Sequence, residues 1–587
     1  MKYRKISLYG LIAGGLIVLA SLLRIVLIGQ GWPLANSDES TMGIMALHIA
    51  AYGDHPTFFY GQRYMGTLEA FLGAGLFKLF GHSLFMLRMG KVGMFALFLV
   101  LIYFLTRKLF SRGWALVTVF LLGAGSAYTM AQELWVYGGY VETLIFSTIL
   151  FLSATWLAHT YTRNLTGQQR ARRLLVYLLW GLTAGLGFWS DLLIIPSVLM
   201  SGLLLLLVCP REVFRPMTLL CIITGLLIGA APLINYNLHA APGDDSLSVL
   251  RKLQGGNHQT FTPPFIWQEL HNTFFSGLPM MTGEPFCPVT EYPFLNLNSP
   301  DNAACASAHG SWSAAYLFIG AISFLLTTWE IWRNWRRRAQ LAEGSEAQRA
   351  SRIALARWLL LLSTCMSLFL YTFSSAPLLL PGLHARYLVC LLIGTPVVLW
   401  PLWLGVQKGL NMRQVFTPIV KVACTTALIC LCLLALVGST LTFSLLPATA
   451  AANQRDAILI QTLNRLHIRD MITEYWTCDK IAFETDEHII CVSVGSELQL
   501  SHNRYTPYIH TVAKDPHPAY VFPLDQQLFM RPIPSLQYIV NPNVPIPPNS
   551  IVKGYDRIVI VGYSILYWPG PAPSTSQKKH EPAQKQV

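Results

Sequence analysis

Apolar runs of about twenty residues recur along most of this chain, and no other feature restricts its fold as much. One such run can be a buried core helix. A long succession of them has no soluble core to enter, whereas each is long enough to cross about 30 Å of hydrocarbon. Composition agrees: 53% of the 587 residues are hydrophobic and 12% are charged, about half the roughly 25% charged content of ordinary soluble proteins. Mean hydropathy is +0.45. We read about eleven spans, near Ile6–Ile28, Met89–Thr106, Trp114–Met130, Tyr140–His159, Leu174–Trp189, Leu192–Cys209, Thr218–Tyr236, Trp312–Trp332, Ile353–Phe373, Tyr387–Leu404 and Phe416–Phe443. The first run is too long for a signal peptide and no small-residue cleavage site follows it, so it reads as an uncleaved span.

Orientation follows from where lysine and arginine fall. Lys2, Arg4 and Lys5 precede the first span, Arg107, Lys108 and Arg112 follow the second, and Arg163, Arg170, Arg172 and Arg173 follow the fourth. Arg211 and Arg215, the cluster Arg333, Arg336, Arg337, Arg338, Arg349 and Arg352, and finally Lys408 and Arg413 continue the alternation. This pattern predicts a cytoplasmic N-terminus and an outer C-terminal segment. It also accounts for the net charge of +13 without nucleic acid as a partner.

Cysteine placement follows the same division. Cys287 and Cys305 share the long outer loop 237–311, and Cys478 and Cys491 share the C-terminal segment. Two outer pairs are what an oxidising compartment permits; four unpaired thiols are the alternative. The other seven cysteines lie in or beside apolar spans, where a thiol acts as a small hydrophobe. The loop itself carries Arg251, Lys252, His258 and His271, and loops of that length are usually functional or disordered. We read it as a lid or acceptor-binding loop.

The polar stretch after the first span, within the outer loop 29–88, holds the adjacent pair Asp38-Glu39. Neighbouring residues on a helix diverge, so one carboxylate can face a cavity while the other orients it. The alternative is a helix start, with Ser37 or Asp38 as cap and Glu39 in the first turn. The segments TMGIMALHIAAYG and GQRYMGTLEAFLGAGLFKLFG then read as two amphipathic helices lying at the interface. They carry Arg63, Glu69 and Lys78, with Arg88 and Lys91 entering the next span. Glu133, Glu142 and Asp191 map to outer span ends, where they either line an acceptor cavity or are simply solvated. No His, Cys or Asp spacing calls for a metal, and no cofactor is required, although an outer acidic pair is able to hold a divalent cation.

These segments carry a family resemblance. The short first span, SDES, a following G-D-x-P, the shelf ending K-L-F-G, and the late LPGLHARYLVC with Arg386-Tyr387 resemble the polytopic glycosyltransferases of the GT-C type. The similarity is nearest to bacterial relatives of the protein O-mannosyltransferases and the aminoarabinose transferase, the glycosyltransferase family 39-like group. It covers roughly residues 1–445 through two specific segments. The resemblance implies a polyprenyl-phosphate sugar donor in the outer leaflet and an acceptor, protein, lipid or glycan, reached from the outer aqueous side. It assigns Asp38 as general base, with Glu39 supporting it. The leaving phosphate needs cations, and Arg63, Lys78 and Arg386 with His384 are the candidates. Displacement by one base implies inversion. A transporter or lipid flippase for an anionic lipid-linked substrate is the competing reading; its polar groups would sit near the midplane, whereas here they crowd the outer ends.

The fold expected is therefore mainly α: a membrane helix bundle over 1–445, a small outer α/β domain over 446–570, and a disordered tail, 571–587. In the outer domain, Asp456–Leu466 has helical spacing, and IAFET, IICVSV, AYVFP and RIVIVGYSILYW read as strands. EYWTCDKIAFET and NRYTPY resemble the outer domains of other bacterial members of the group. The whole points to a multi-pass protein of a bacterial cytoplasmic membrane, in contact with its lipids.

Overall fold

Hydrocarbon offers no partners for backbone polar groups, so the apolar runs fold as helices that satisfy their own. The structure, a computed structural model, describes residues 7–162, 166–255, 263–287, 303–336, 345–379, 381–408, 416–524 and 537–570. The readings of Lys2, Arg4, Lys5, Arg163, His258, Arg337, Arg338, Arg413 and the tail 571–587 lie outside the described residues. The chain divides into two units, residues 1–453 and 454–587. The division falls inside the helix Leu446–Arg465, whereas the sequence reading divides the chain after residue 445.

The first unit opens with α1 (Leu8–Gly29), α2 (Ser37–Ala51), α3 (Leu68–Phe80) and α4 (Leu84–Leu109). Among the described residues, six helices are long and apolar enough to span a bilayer: α1, α4, Tyr140–His159, Ala303–Arg336, Glu346–Thr372 and the run Pro418–Arg465. Counting three bent pairs as single spans gives up to 9: Arg112–Gly123 with Ala127–Leu134 (85°), Pro216–Gly229 with Ala231–His239 (64°), and Pro381–Leu388 with Leu391–Gln407 (64°). Eleven spans are thus not reached by length and composition. The expected fifth span lies in a helix, Gly167–Ser190, whose first turns carry Arg170, Arg172 and Arg173, and the sixth is the short apolar helix Leu192–Val208.

The bends have local causes. Ser126 begins a new helix by accepting the Thr129 N–H at 3.4 Å, and Pro232 near the start of Ala231–His239 cannot donate to the preceding turn. The third pair meets at a tighter turn over Ala385–Leu388, which carries Arg386 to the end of its helix.

Two glycine pairs fix one contact between helices. A Cβ on Gly185 would lie 2.3 Å from the Leu226 carbonyl oxygen, and one on Gly225 2.3 Å from that of Leu178. Gly181 and Gly229 complete a G-x-x-x-G on each helix, so Gly167–Ser190 and Pro216–Gly229 meet backbone to backbone, as small residues allow in membranes.

The second unit holds a five-stranded sheet in the order β2-β1-β3-β5-β4, with β1 Asp470–Thr473, β2 Ile490–Ser493, β3 Ala519–Pro523, β4 Asp556–Ile560 and β5 Tyr563–Tyr567. β1 pairs in parallel with β2 and β3, and β5 in antiparallel with β3 and β4. IAFET is not a strand. It ends the helix Tyr475–Glu484, whose N-terminus is capped by Glu474 accepting the N–H groups of Trp476 (2.6 Å) and Thr477 (2.7 Å). Disulfides join Cys287 to Cys305 and Cys478 to Cys491.

Candidate active site

The N-terminus of α2 decides where the acidic pair points. Asn36, rather than Ser37 or Asp38, is the cap: its side chain accepts the Glu39 N–H at 3.0 Å. Asp38 and Glu39 therefore both stand in the first turn, about 100° apart around the helix. Glu39 is fully buried and turns to α4, where Arg88 grips both its oxygens, Nε to Oε1 at 2.8 Å and the second nitrogen to Oε2 at 2.6 Å. Asp38, 9% exposed, lines a cavity of about 460 Å³.

One turn along α4 the pattern repeats. Lys91 pairs with the buried Glu69 of α3. Both carboxylates also reach the loop between Leu134 and Tyr140. Glu39 Oε1 accepts the Val136 N–H and Glu69 Oε2 the Gly138 N–H, each at 3.2 Å. The loop is thus held at two points, one on either side of Tyr137. A buried carboxylate without its cation would cost several kcal/mol, so the pairs and the loop form one unit.

Tyr137 and Tyr140 line the cavity with Asp38, Asp191, His384, Arg386 and Tyr387. The Arg386 guanidinium lies 5.0 Å from the Tyr137 ring centroid, 5.6 Å from that of Tyr387 and 5.7 Å from that of Tyr140. Ring faces stabilise such a cation, and Arg386 Nε is buried without a hydrogen bond among the described residues. The charge of Asp38 is near enough to act on it. His384 stacks on Tyr387 (centroids 5.2 Å apart, 12° between planes) and is hydrogen-bonded through Nδ1 to the Ala376 carbonyl at 2.9 Å. A carbonyl only accepts, so Nδ1 carries the proton. Asp191 accepts the Leu193 N–H at 2.9 Å. Burial pushes its carboxyl up to about 6, against the opposing pull of that N–H and of Arg386.

The other sequence-predicted residues stand elsewhere. Arg63 is ion-paired with Asp244, both sides half-exposed, although its neighbours Gln62 and Tyr64 line the cavity. Lys78 is exposed in the last turn of α3 and does not line the cavity. Glu133 is buried against Arg24, which also donates to the Gly123 carbonyl at 2.7 Å. Glu142 is 1% exposed and close enough to Glu69 for their charges to interact; it does not line the cavity. Sequence reasoning left out Tyr137, Tyr140 and Tyr387 as walls, and the loop anchoring by Glu39 and Glu69. The available signal was WVYGGY, aromatics with two glycines between apolar runs.

Among the described residues, two groups of three side chains could hold a metal ion, Glu284 with Cys287 and His309, and Cys478 with Asp479 and Cys491. Neither lines the cavity, where Asp38, Asp191, His384 and Cys390 stand with the Arg386 guanidinium.

No protein-family model and no curated protein matches the sequence. Among solved structures, the chain is similar to ArnT from Cupriavidus metallidurans in the apo state, with a TM-score of 0.52 at 11% identity over 94% of this chain and 96% of that one. It is similar as well to the same ArnT bound to undecaprenyl phosphate, with a TM-score of 0.50 at 12% identity over 94% and 97%. At such identities the likeness is one of fold: the chain has a GT-C-type fold.

Proposed function

We propose that this chain is a membrane glycosyltransferase that moves a sugar from a polyprenyl-phosphate donor to an acceptor on the outer face of a bacterial cytoplasmic membrane. One observation carries the proposal: on a GT-C-type fold, a carboxylate and an aromatic-caged arginine with an unused donor face the same cavity of about 460 Å³. Such a volume is within the range that holds a small ligand. The ArnT structure with undecaprenyl phosphate supports the choice of donor class.

The chemistry follows from the two groups. The acceptor hydroxyl loses its proton to Asp38 as it attacks the anomeric carbon, and a placed base at hydrogen-bond distance lowers that barrier. The bond from sugar carbon to phosphate oxygen breaks on the opposite side, so the configuration inverts. Negative charge gathers on the departing phosphate, where Arg386 donates; His384, whose proton sits on Nδ1, has only a lone pair left on Nε2 and is a wall of the cavity rather than a donor to the phosphate. Glu39 acts by holding α2 to α4 and Tyr137 in the wall. The phosphate role rests on Arg386 rather than on Arg63 or Lys78, neither of which lines the cavity.

Topology completes the reading. If Gly167–Ser190 and Leu192–Val208 cross as a pair turned at Asp191, they supply the two spans missing from nine. Read with the lysine and arginine distribution, the odd number of spans puts the N-terminus in the cytoplasm and the second unit outside.

One observation favours the transporter reading: the helix that carries Arg386 is broken beside the cavity, as in transporters that bind substrates at helix breaks. Membranes containing the chain, given radiolabelled undecaprenyl-phosphate sugars, separate the two. A transferase yields labelled acceptor and free undecaprenyl phosphate. Movement of intact donor across sealed vesicles with no labelled product overturns the proposal.

A further inference from the structure

Away from the cavity, four side chains with metal-binding chemistry meet at the start of the helix Ala303–Arg336. Glu284 and Cys287 follow the helix Leu278–Thr282, and the Glu284 carboxylate accepts the N–H groups of Phe286 (2.8 Å) and Cys287 (3.2 Å). That turn holds the two side chains together. Cys305 and His309 are four apart on a helix and so share one face. One ligand atom each from Glu284, Cys287 and His309 lies within 4.8 Å of the others, and Cys305 is bonded to Cys287.

His309 supplies a second, independent observation. It is 1% exposed, and its Nδ1 is hydrogen-bonded to the Phe275 carbonyl at 2.6 Å, which makes Nδ1 the protonated nitrogen. Nε2 then faces Glu284 Oε2 at 3.3 Å, buried and without a hydrogen bond among the described residues. Metal-binding histidines are oriented in this way, with one ring nitrogen donating to a carbonyl and the other free to coordinate.

We propose that Glu284, Cys287, Cys305 and His309 form a redox-controlled zinc site that alternates with the Cys287–Cys305 disulfide. A dithiol reductant gives two electrons and two protons to the disulfide and leaves as its own disulfide. Zn²⁺ then displaces the two thiol protons, forming two zinc–sulfur bonds, with His309 Nε2 and a Glu284 oxygen as third and fourth ligands in the tetrahedral set zinc takes. A disulfide oxidant reverses this: it accepts the two electrons and two protons and leaves as two thiols, the Cys287–Cys305 bond forms again and the ion is released. The segment 284–287 stays tied to the helix in both states, by sulfur–sulfur bond or by metal. None of the four residues lines the cavity, so the site regulates or stabilises the unit without entering the transfer step.

The test is cobalt titration of the purified full-length chain in detergent, before and after treatment with a dithiol, read by the visible absorption of tetrahedral cobalt thiolate and by helical circular dichroism. The reduced chain should take up about one Co²⁺ at this site, displaced by Zn²⁺, and the oxidised chain none. His309→Gln and Glu284→Gln should each weaken uptake about tenfold or more. Asp479→Asn, at the other cysteine group, should leave it unchanged. Three results each overturn the proposal: no cobalt spectrum on reduction, uptake equal in His309→Gln and the unaltered chain, or a loss of helical signal on reduction that cobalt does not restore.

Discussion

Asp38 and Glu39 are adjacent in sequence yet belong to different structures, one to a cavity and the other to a buried ion pair. The residue types and the first-turn position were legible beforehand, because a polar stretch after an apolar span stands out. Which carboxylate faces the cavity was open in the residues themselves and came only from the family resemblance, because it depends on Arg88, 49 positions away from Glu39. Arg386 serves both readings of the cavity, since each needs a cation for the phosphate. Arg386→Ala should weaken binding of undecaprenyl phosphate by about 10- to 100-fold, the loss of charged hydrogen bonds. Arg386→Lys should recover part of it, since a point charge replaces the fork; native mass spectrometry of purified protein reads both. Asp191 adds a pH dependence. With its carboxyl at about 6, it is neutral below that value and negative above it, so an anionic ligand beside Arg386 is repelled as pH rises through 6. The phosphate monoester titrates in the same range, so the informative quantity is the difference between variants. Asp191→Asn should bind more tightly than the unaltered chain at about pH 7.5 and equally at about pH 5.

At the scale of elements, the long apolar runs were read correctly as helices, while their breaks and partners were hidden. Breaks arise from a few residues such as Ser126 and Pro232, whose local pattern is also compatible with an unbroken span. IAFET shows the same ambiguity in the second unit: a short apolar run suits either state, and Glu474, capping from the far end of the same helix, settles it as helix. The glycine-mediated contact makes a sharper claim. Gly185→Leu should lower the melting temperature in detergent by the equivalent of about 1–3 kcal/mol, because its side chain meets a backbone that cannot move aside. Gly14→Leu is the control, since nothing lies within 4 Å of a Cβ there. Equal effects would remove the backbone contact as the cause.

For the whole molecule, the number of spans and the side on which each loop lies carry the functional reading. Charge distribution predicts a sidedness, but it reports a bias in insertion rather than a position in space. The convergence of residues near 38, 137, 191 and 386 arises from packing between distant helices, which no periodicity encodes. Sidedness is tested by single added cysteines. Gln62→Cys should react with an impermeant maleimide from outside intact cells, and Gln169→Cys only after lysis, each read against the unaltered chain. The reverse pattern would place the cavity on the cytoplasmic face and remove the outer-leaflet donor.

The most direct measurement follows donor and product together in one sample of purified protein, comparing the unaltered chain with Asp38→Asn by mass spectrometry. With Asp38 as the base, Asp38→Asn should hold the undecaprenyl-phosphate sugar as tightly as the unaltered chain while product formation falls by about 10²- to 10⁴-fold, the usual worth of a positioned base. Product formed by Asp38→Asn at the unaltered rate would contradict that role.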